Sequence, residues 1–244
     1  MTQQIQVQRK KIKRGKKYIK ALSLIPSQKE LYSPEEAINL IKKMDYARFD
    51  STIEIAVNLK INPQKAEQNI RGTVVLPHGI GKTKRVVVVC PPSMEDEARK
   101  AGADMVGLES ILEKIKGGWF DFDVLIATPD VMPKLAPLGR ILGPRGLMPS
   151  PKNETVTKDI ATAVKEFKKG KIQIRNDKYG IVHMPIGKKS MDTHMLLENL
   201  KEAIQTLLRM KPPSVKGEFI KSVYISSTMS PSLQLNVKEL LKLT

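Results

Sequence analysis

The spacing of apolar residues changes twice along the chain, near Ile80 and again near Lys169. Between these points, short apolar runs alternate with segments of helical spacing. The runs lie at 85–90, 104–106 and 123–127, and the helical segments at 93–101, 108–116 and 160–168. Strands separated by helices in this way are joined by right-handed crossovers into a parallel sheet with helices packed on it. The pattern therefore predicts that the middle block is an α/β domain of its own.

A different pattern precedes this block. Residues 33–36 form a capping box with proline at the first helical position, which predicts a helix that ends near Asp45. From Ile53 to Leu59, apolar residues alternate with polar or small ones, as is typical of a strand with one buried face. The other face of this strand is free to bind a partner.

The flanking pattern returns beyond Gly170. Segments 171–176 and 179–186 are predicted strands on either side of a hairpin turn at Asp177-Lys178. A long amphipathic helix capped by Asp192 follows, and 218–227 alternates as a last strand. Neither flank alone offers enough apolar surface for a stable sheet-and-helix layer, so we expect both to fold together around the middle block.

The net charge of the chain indicates the chemical class of its binding partner. The chain has 42 Lys and Arg against 25 Asp and Glu, a formal net charge of +17, and a bound polyanion would relieve the resulting self-repulsion. One cysteine, Cys90, and three histidines cannot build a disulfide framework or a multi-thiolate zinc site. No apolar run is long enough for a membrane span. We expect an intracellular, soluble nucleic-acid-binding protein, with Cys90 in the core.

The first thirty residues carry a dense run of basic side chains and no carboxylate before Glu30. Like charges repel one another, so the run is predicted to be disordered when free, as far as Lys20. It is interpreted as an arm that reaches phosphates through Lys10, Lys11, Lys13, Arg14, Lys16 and Lys17. A solvated tail, or a transit peptide of Lys-rich composition, is the alternative.

Two glycine-rich segments imitate nucleotide-binding loops. Segment 79–83 ends like a P-loop, but Leu76 occupies the position of its first glycine and a strand follows where a helix is needed. Segment 139–146 contains Pro144 and lacks the preceding strand of a dinucleotide-binding fingerprint. The histidines show no metal-ligand spacing, and no Gly-x-Ser-x-Gly elbow is present. We therefore predict a binding protein with no cofactor or metal, not an enzyme.

Three stretches, taken in order, resemble the bacterial-type L1 family of ribosomal proteins. They are 68–73 with 76–79, then 142–149, then 175–178, and the resemblance runs from about Tyr32 to Ser230. It implies an α/β fold of two domains joined by a two-strand hinge. One is a discontinuous α+β two-layer sandwich (split β-α-β) built from 31–79 and 170–244. The other is an inserted Rossmann-like three-layer α/β domain at 80–169, and a basic tail covers 1–30.

The resemblance also implies the RNA-binding residues. A basic residue and Phe, followed by Thr and Glu, align with Arg48, Phe49, Thr52 and Glu54. A Thr-Met-Gly cluster of relatives aligns with Thr228, Met229 and Ser230. The turn with Asp177 and Lys178 flanks the site, and His183 lies on the adjoining strand. Serine resists positive φ, so the resemblance is weakest at Ser230.

Physical chemistry supports part of this assignment. An aromatic ring beside a cation suits RNA, and Thr and Glu on one strand face can accept hydrogen bonds from 2′-hydroxyls and base amino groups. The alternative for Phe49 and Met229 is apolar packing.

The partners that the resemblance implies are the stalk region of 23S rRNA, deacylated tRNA at the exit site and, as in many relatives, the chain's own messenger. The protein is then a monomer within the ribosome of the cytoplasm or of a plastid. A regulator that acts mainly on messenger RNA and a nucleotide-using enzyme are the alternative classes of function.

Overall fold

A computed structural model describes residues 14–26 and 31–243 of the chain. Its strands are β1 (Thr52–Leu59), β2 (Arg71–Val75), β3 (Val86–Val89), β4 (Met105–Val106), β5 (Val124–Ala127), β6 (Lys171–Arg175), β7 (Ile181–Lys188), β8 (Ile220–Ser227) and β9 (Leu233–Leu235). Its helices are α1 (Lys16–Leu22), α2 (Pro34–Met44), α3 (Glu95–Lys100), α4 (Glu109–Lys116), α5 (Met132–Leu135), α6 (Gly139–Leu142), α7 (Ile160–Lys169), α8 (Thr193–Arg209) and α9 (Val237–Leu243).

An antiparallel sheet in the order β7-β1-β8-β9 is built around the predicted strand β1. The alternation of β1 is confirmed, because its apolar residues are buried on one face: Ile53, Ile55, Val57 and Leu59. Helices α2 and α8 pack against this sheet. The residues on its other face are partly or fully accessible: Thr52, Glu54, Ala56 and Asn58.

The capping box at Ser33 is confirmed, since its hydroxyl accepts from the Glu36 amide and the Glu36 carboxylate accepts from the Ser33 amide. Helix α2 ends at Met44, beside the predicted Asp45. The core against which it packs draws its buried residues from 21–76 and from 172–240, so both ends of the chain share one core.

Strands β2 and β6 form a separate antiparallel ribbon. The two strands predicted on either side of the Asp177-Lys178 turn are present as β6 and β7, and an antiparallel bridge joins Asn176 to Val182. The expected pairing of these strands along their length is wrong, because β6 pairs with β2. The turn itself is present. Ile172 and Ile174 of β6 lie opposite Val74 and Gly72 of β2, where both isoleucines are buried.

The middle of the chain contains the predicted parallel sheet, in the order β4-β3-β5. Strand β3 is buried on both faces, as expected for a parallel strand covered by helices. Val87 and Val89 pack in one core cluster with residues of α4, and Val86 and Val88 in another with α3 and α7. The buried residues of both clusters come from 86–167. Cys90 is buried as predicted, and burial raises its pKa to about 11.

The basic segment departs from the prediction of disorder up to Lys20, because Lys16–Leu22 is a helix. Ala21, at 4% exposure, packs into the core of the four-stranded sheet, and Ile25 packs beside it. This apolar contact gives the helix a reason to form despite its charge. Lys10, Lys11 and Lys13 lie outside the described residues. Across 14–26 and 31–243, no helix has the length and apolarity to cross a membrane.

Candidate nucleic-acid interface

Residues 45–51 join α2 to β1 and are here called the recognition loop. The loop presents Arg48 and Phe49 to solvent, and the Phe49 side chain is 57% exposed. A ring this exposed contributes little to the core, so core packing does not explain Phe49. Phe49 and the adjacent Arg48 are both exposed, and an aromatic ring and a guanidinium are groups on which unpaired bases stack.

Thr52 and Thr228 join the recognition loop to the segment after β8. The Thr52 amide donates to the Thr228 hydroxyl at 3.1 Å, and the Thr228 amide donates to the Thr52 carbonyl at 3.0 Å. Met229 follows with 47% of its surface exposed, so about half of the residue is accessible to a partner. Six of the predicted RNA-binding residues therefore lie at one end of the sheet: Arg48, Phe49, Thr52, Thr228, Met229 and Ser230.

Ser230 closes the turn after β8 with an ordinary backbone conformation, because its φ is not positive. Its hydroxyl accepts from the Ser227 amide at 2.9 Å and donates to the Pro231 carbonyl at 3.0 Å. The side chain is half-buried and committed to these two bonds. Serine therefore occupies the position for which the resemblance implies glycine without the strain of a left-handed backbone.

The open face of the sheet continues from this end along β1. Glu54 is exposed, and two residues further on Ala56 lies between His183 on β7 and Tyr224 on β8. The Tyr224 hydroxyl donates to the Gln234 side chain at 3.2 Å. Sequence reasoning missed Tyr224, although the alternation of 222–227 places it on the face opposite Val223 and Ile225.

Asp177 and Lys178 lie at the other end of β7. Asn58, the partner of Ile181, is six residues beyond Thr52, which is about 20 Å along an extended strand. The structure therefore does not bring this pair together with Phe49. The Asp177 carboxylate accepts from the amides of Tyr179 and Ile181, each at 2.8 Å. Desolvation would raise the pKa of Asp177, but these hydrogen bonds prevail and lower it.

A cleft of about 1050 Å³ opens beside that turn, bordered by the β2–β6 ribbon and segment 150–152. Its charged lining is mainly basic: Arg71, Lys152, Arg175 and Lys178, with Asp177 as the carboxylate. Arg71 and Arg175 stand opposite each other in the ribbon, an arrangement of like charges that is unfavourable without an anion. Sequence reasoning missed Arg71, Lys152 and Arg175 because their meeting depends on the pairing of β2 with β6.

The three histidines contact carboxylates. His78 hydrogen bonds to Glu198, His194 Nε2 lies 3.6 Å from Glu198 Oε1, and His183 Nε2 lies 3.9 Å from Asp177 Oδ2. Among the residues that the structure describes, no group of three or more His, Cys, Asp or Glu side chains could hold a metal ion.

Comparison with protein families gives a match to the model of the ribosomal protein L1p/L10e family over residues 41–231, well over half of the chain. The matched region contains β1, the cleft and the segment after β8. The family is one of structural RNA-binding proteins, not of enzymes. This chain belongs to the ribosomal protein L1p/L10e family and is an rRNA-binding structural protein of the large ribosomal subunit.

Proposed function

We propose that the chain binds the stalk region of 23S rRNA and so forms the mobile stalk beside the tRNA exit site. The observation that carries this proposal is the exposed Phe49 next to Arg48, three residues before Thr52, which is paired with Thr228. Stacking on the ring, together with hydroxyl and carboxylate contacts from Thr52 and Glu54, matches what a protein can reach on RNA. The basic tail adds phosphate contacts through Lys10, Lys11, Lys13, Arg14, Lys16 and Lys17.

We further propose the division into domains that the sequence predicts. Residues 31–79 and 170–244 form the RNA-binding domain, and 80–169 is inserted into it. Support comes from the core clusters, since the core beneath the four-stranded sheet has no buried member between Leu76 and Ile172. The buried residues of the other two clusters all lie within that interval.

The basic cleft is proposed as the surface that meets deacylated tRNA. It lies about 20 Å along the sheet from the Thr52 end, so the protein can hold ribosomal RNA at one end and contact a second RNA at the other. Arg71 and Arg175, facing each other across the ribbon, suit a phosphate backbone.

We propose that the surface around Phe49 also serves translational repression. A messenger with a segment shaped like the ribosomal site would compete for Phe49 and its neighbours, because such contacts select a shape. We propose that free protein represses its own messenger in this way, and that it acts as a monomer on the ribosome of the cytoplasm or of a plastid.

Chemical footprinting on a stalk fragment of 23S rRNA tests the main proposal. We expect the protein to protect one compact region, and the Phe49→Ala variant to lose that protection at equal concentration. Protection that is absent, or that is unaffected by Phe49→Ala, would contradict it. For the cleft, Arg71→Gln with Arg175→Gln should weaken crosslinking to deacylated tRNA on assembled ribosomes while the stalk footprint persists.

A further inference from the structure

Residues 188–190, here called the clamp segment, form hydrogen bonds with the last residues of the recognition loop and with Thr52. The Lys189 amide donates to the Ser51 carbonyl at 2.9 Å. The Ser190 amide and hydroxyl donate to the Asp50 carboxylate at 3.1 and 2.7 Å. The Lys188 ammonium donates to the Thr52 hydroxyl at 2.8 Å. These hydrogen bonds therefore hold in place the end of the loop that leads from Phe49 into β1.

The buried Asp45 carboxylate hydrogen bonds to other residues of the same loop. Its side chain has no exposed surface, and its carboxylate accepts from the Ser51 hydroxyl and from the Ala47 amide at 3.1 Å. Asp45 and Ser51 are the first and last residues of the loop, so this carboxylate ties its two ends together. A buried carboxylate needs such partners, because a buried charge left unpaired is strongly destabilising.

Lys189 joins the two sets of contacts. Its ammonium lies 3.3 Å from the Asp45 carboxylate and donates to the Asp45 carbonyl at 3.1 Å. Burial would raise the pKa of Asp45, but the bonds from Ser51 and Ala47 and the charge of Lys189 together lower it. The carboxylate is therefore ionised at neutral pH, and it forms an ion pair with the Lys189 ammonium within the protein.

We infer that Asp45 and Lys189 are positioning residues of the RNA site, which fix the recognition loop in the conformation that presents Phe49. This inference rests on the proposed role of Phe49. A loop whose ends are tied before binding loses less conformational freedom when RNA arrives, and a ring held in place discriminates between RNA shapes. Lys189 then contributes to selectivity without contacting a phosphate.

The test compares Lys189→Gln with Lys43→Gln, which removes an exposed charge from the last turn of α2. The probes are a stalk fragment of 23S rRNA and an unrelated RNA hairpin of equal length. We expect Lys189→Gln to weaken binding to the stalk fragment about tenfold, as is typical of coupled neighbours. Binding to the hairpin and the salt dependence of binding should not change. Lys189→Arg, which keeps the ion pair, should restore affinity, and Lys43→Gln should match the unaltered protein.

Several outcomes would overturn the inference. Equal losses on both RNAs, with a log-log salt slope reduced by ~0.7 to 0.9, would make Lys189 a phosphate contact instead. If Phe49→Ala lowers affinity for the stalk fragment and Lys189→Gln does not, the positioning role of Lys189 is refuted and the proposed RNA site stands. No loss with Phe49→Ala would instead refute the site itself. If Lys189→Gln does not fold, Ser190→Ala decides, because it removes only an exposed bond to Asp50 and should lower stalk affinity in the same selective way.

Discussion

Gly170 lies so close to Gly79 that a Cβ built on Gly170 would be 2.4 Å from the Gly79 Cα. Both residues have positive φ, 64° at Gly79 and 121° at Gly170. The chain leaves β2 through one of them and enters β6 through the other. The backbones touch at this crossing because neither residue has a side chain.

We expect Gly170→Ala to lower the free energy of unfolding by more than ~2 kcal/mol, because a backbone clash adds to the strain of a left-handed conformation. Gly102→Ala is the matched control, since its φ is 97° and a Cβ there meets nothing within 4 Å. That variant should lose only ~1 to 2 kcal/mol. Urea unfolding measures both, and equal losses would contradict a tight crossing.

The same crossing predicts that 80–169 can be removed. The two cut ends lie side by side, so a linker of a few glycines should join Gly79 to Gly170 while the core beneath the four-stranded sheet stays complete. The shortened protein should fold, by circular dichroism, and bind the stalk fragment of 23S rRNA. Lys171 loses its partners Glu154 and Glu166 and should become exposed. An unfolded product, or a folded one without affinity, would refute the proposed division of domains.

Deleting residues 1–15 tests the basic arm. The cut stops before α1 because Ala21 packs into the core. If Lys10, Lys11, Lys13 and Arg14 reach phosphates, RNA affinity should fall. The log-log salt slope should also fall, by ~0.7 to 0.9 for each lost contact. Filter binding from low to high salt measures the slope. The double variant Lys16→Gln, Lys17→Gln tests whether the lysines of α1 also contact phosphates. A salt slope that is unchanged in both altered proteins would exclude the arm.

The pKa of Lys84 predicts how the free energy of unfolding changes with pH. Burial, reinforced by the charge of Lys82 and opposed by that of Asp123, lowers its pKa from 10.5 to about 8. Between these values the unfolded chain binds the proton that the folded protein releases, so Lys84 makes stability rise with pH across that window. Lys84→Met should remove this rise in urea unfolding at pH 7.5 and 10. Lys165→Met, at an exposed position, should keep it. Parallel curves for all three proteins would contradict the lowered pKa.

Features set by neighbouring residues were predictable from the sequence. The capping box at Ser33 and the alternation of β1 each depend on a few consecutive positions, and both are confirmed. The partner of β6 could not be predicted, because β2 lies about a hundred residues earlier and proximity in sequence favoured β7. The Asp45–Lys189 contact was hidden in the same way, since its partners are 144 residues apart. The family resemblance supplied Phe49 and Thr52 but not the residues that hold them.

Phe49→Ala separates recognition from charge. Electrostatic contacts supply affinity without selecting a sequence, whereas a residue that fits one RNA surface supplies the difference between specific and non-specific binding. Replacing the ring should therefore cost ~1 to 3 kcal/mol on the stalk fragment and leave binding to an unrelated hairpin nearly unchanged. Lys16→Gln should instead weaken both RNAs alike, because it removes at most a phosphate contact.

The exposure of Phe49 makes this experiment decisive. With 57% of its surface in solvent, the ring contributes little to the core, so Phe49→Ala should change the free energy of unfolding by less than ~0.5 kcal/mol. Selectivity and stability are then measured on the same variant, by affinity for the two RNAs and by the thermal midpoint. A large fall in the midpoint with unchanged selectivity would mean that Phe49 supports the loop instead of reading RNA. Lost selectivity at an unchanged midpoint has no explanation in folding, because the unfolded fraction would weaken binding to both RNAs equally.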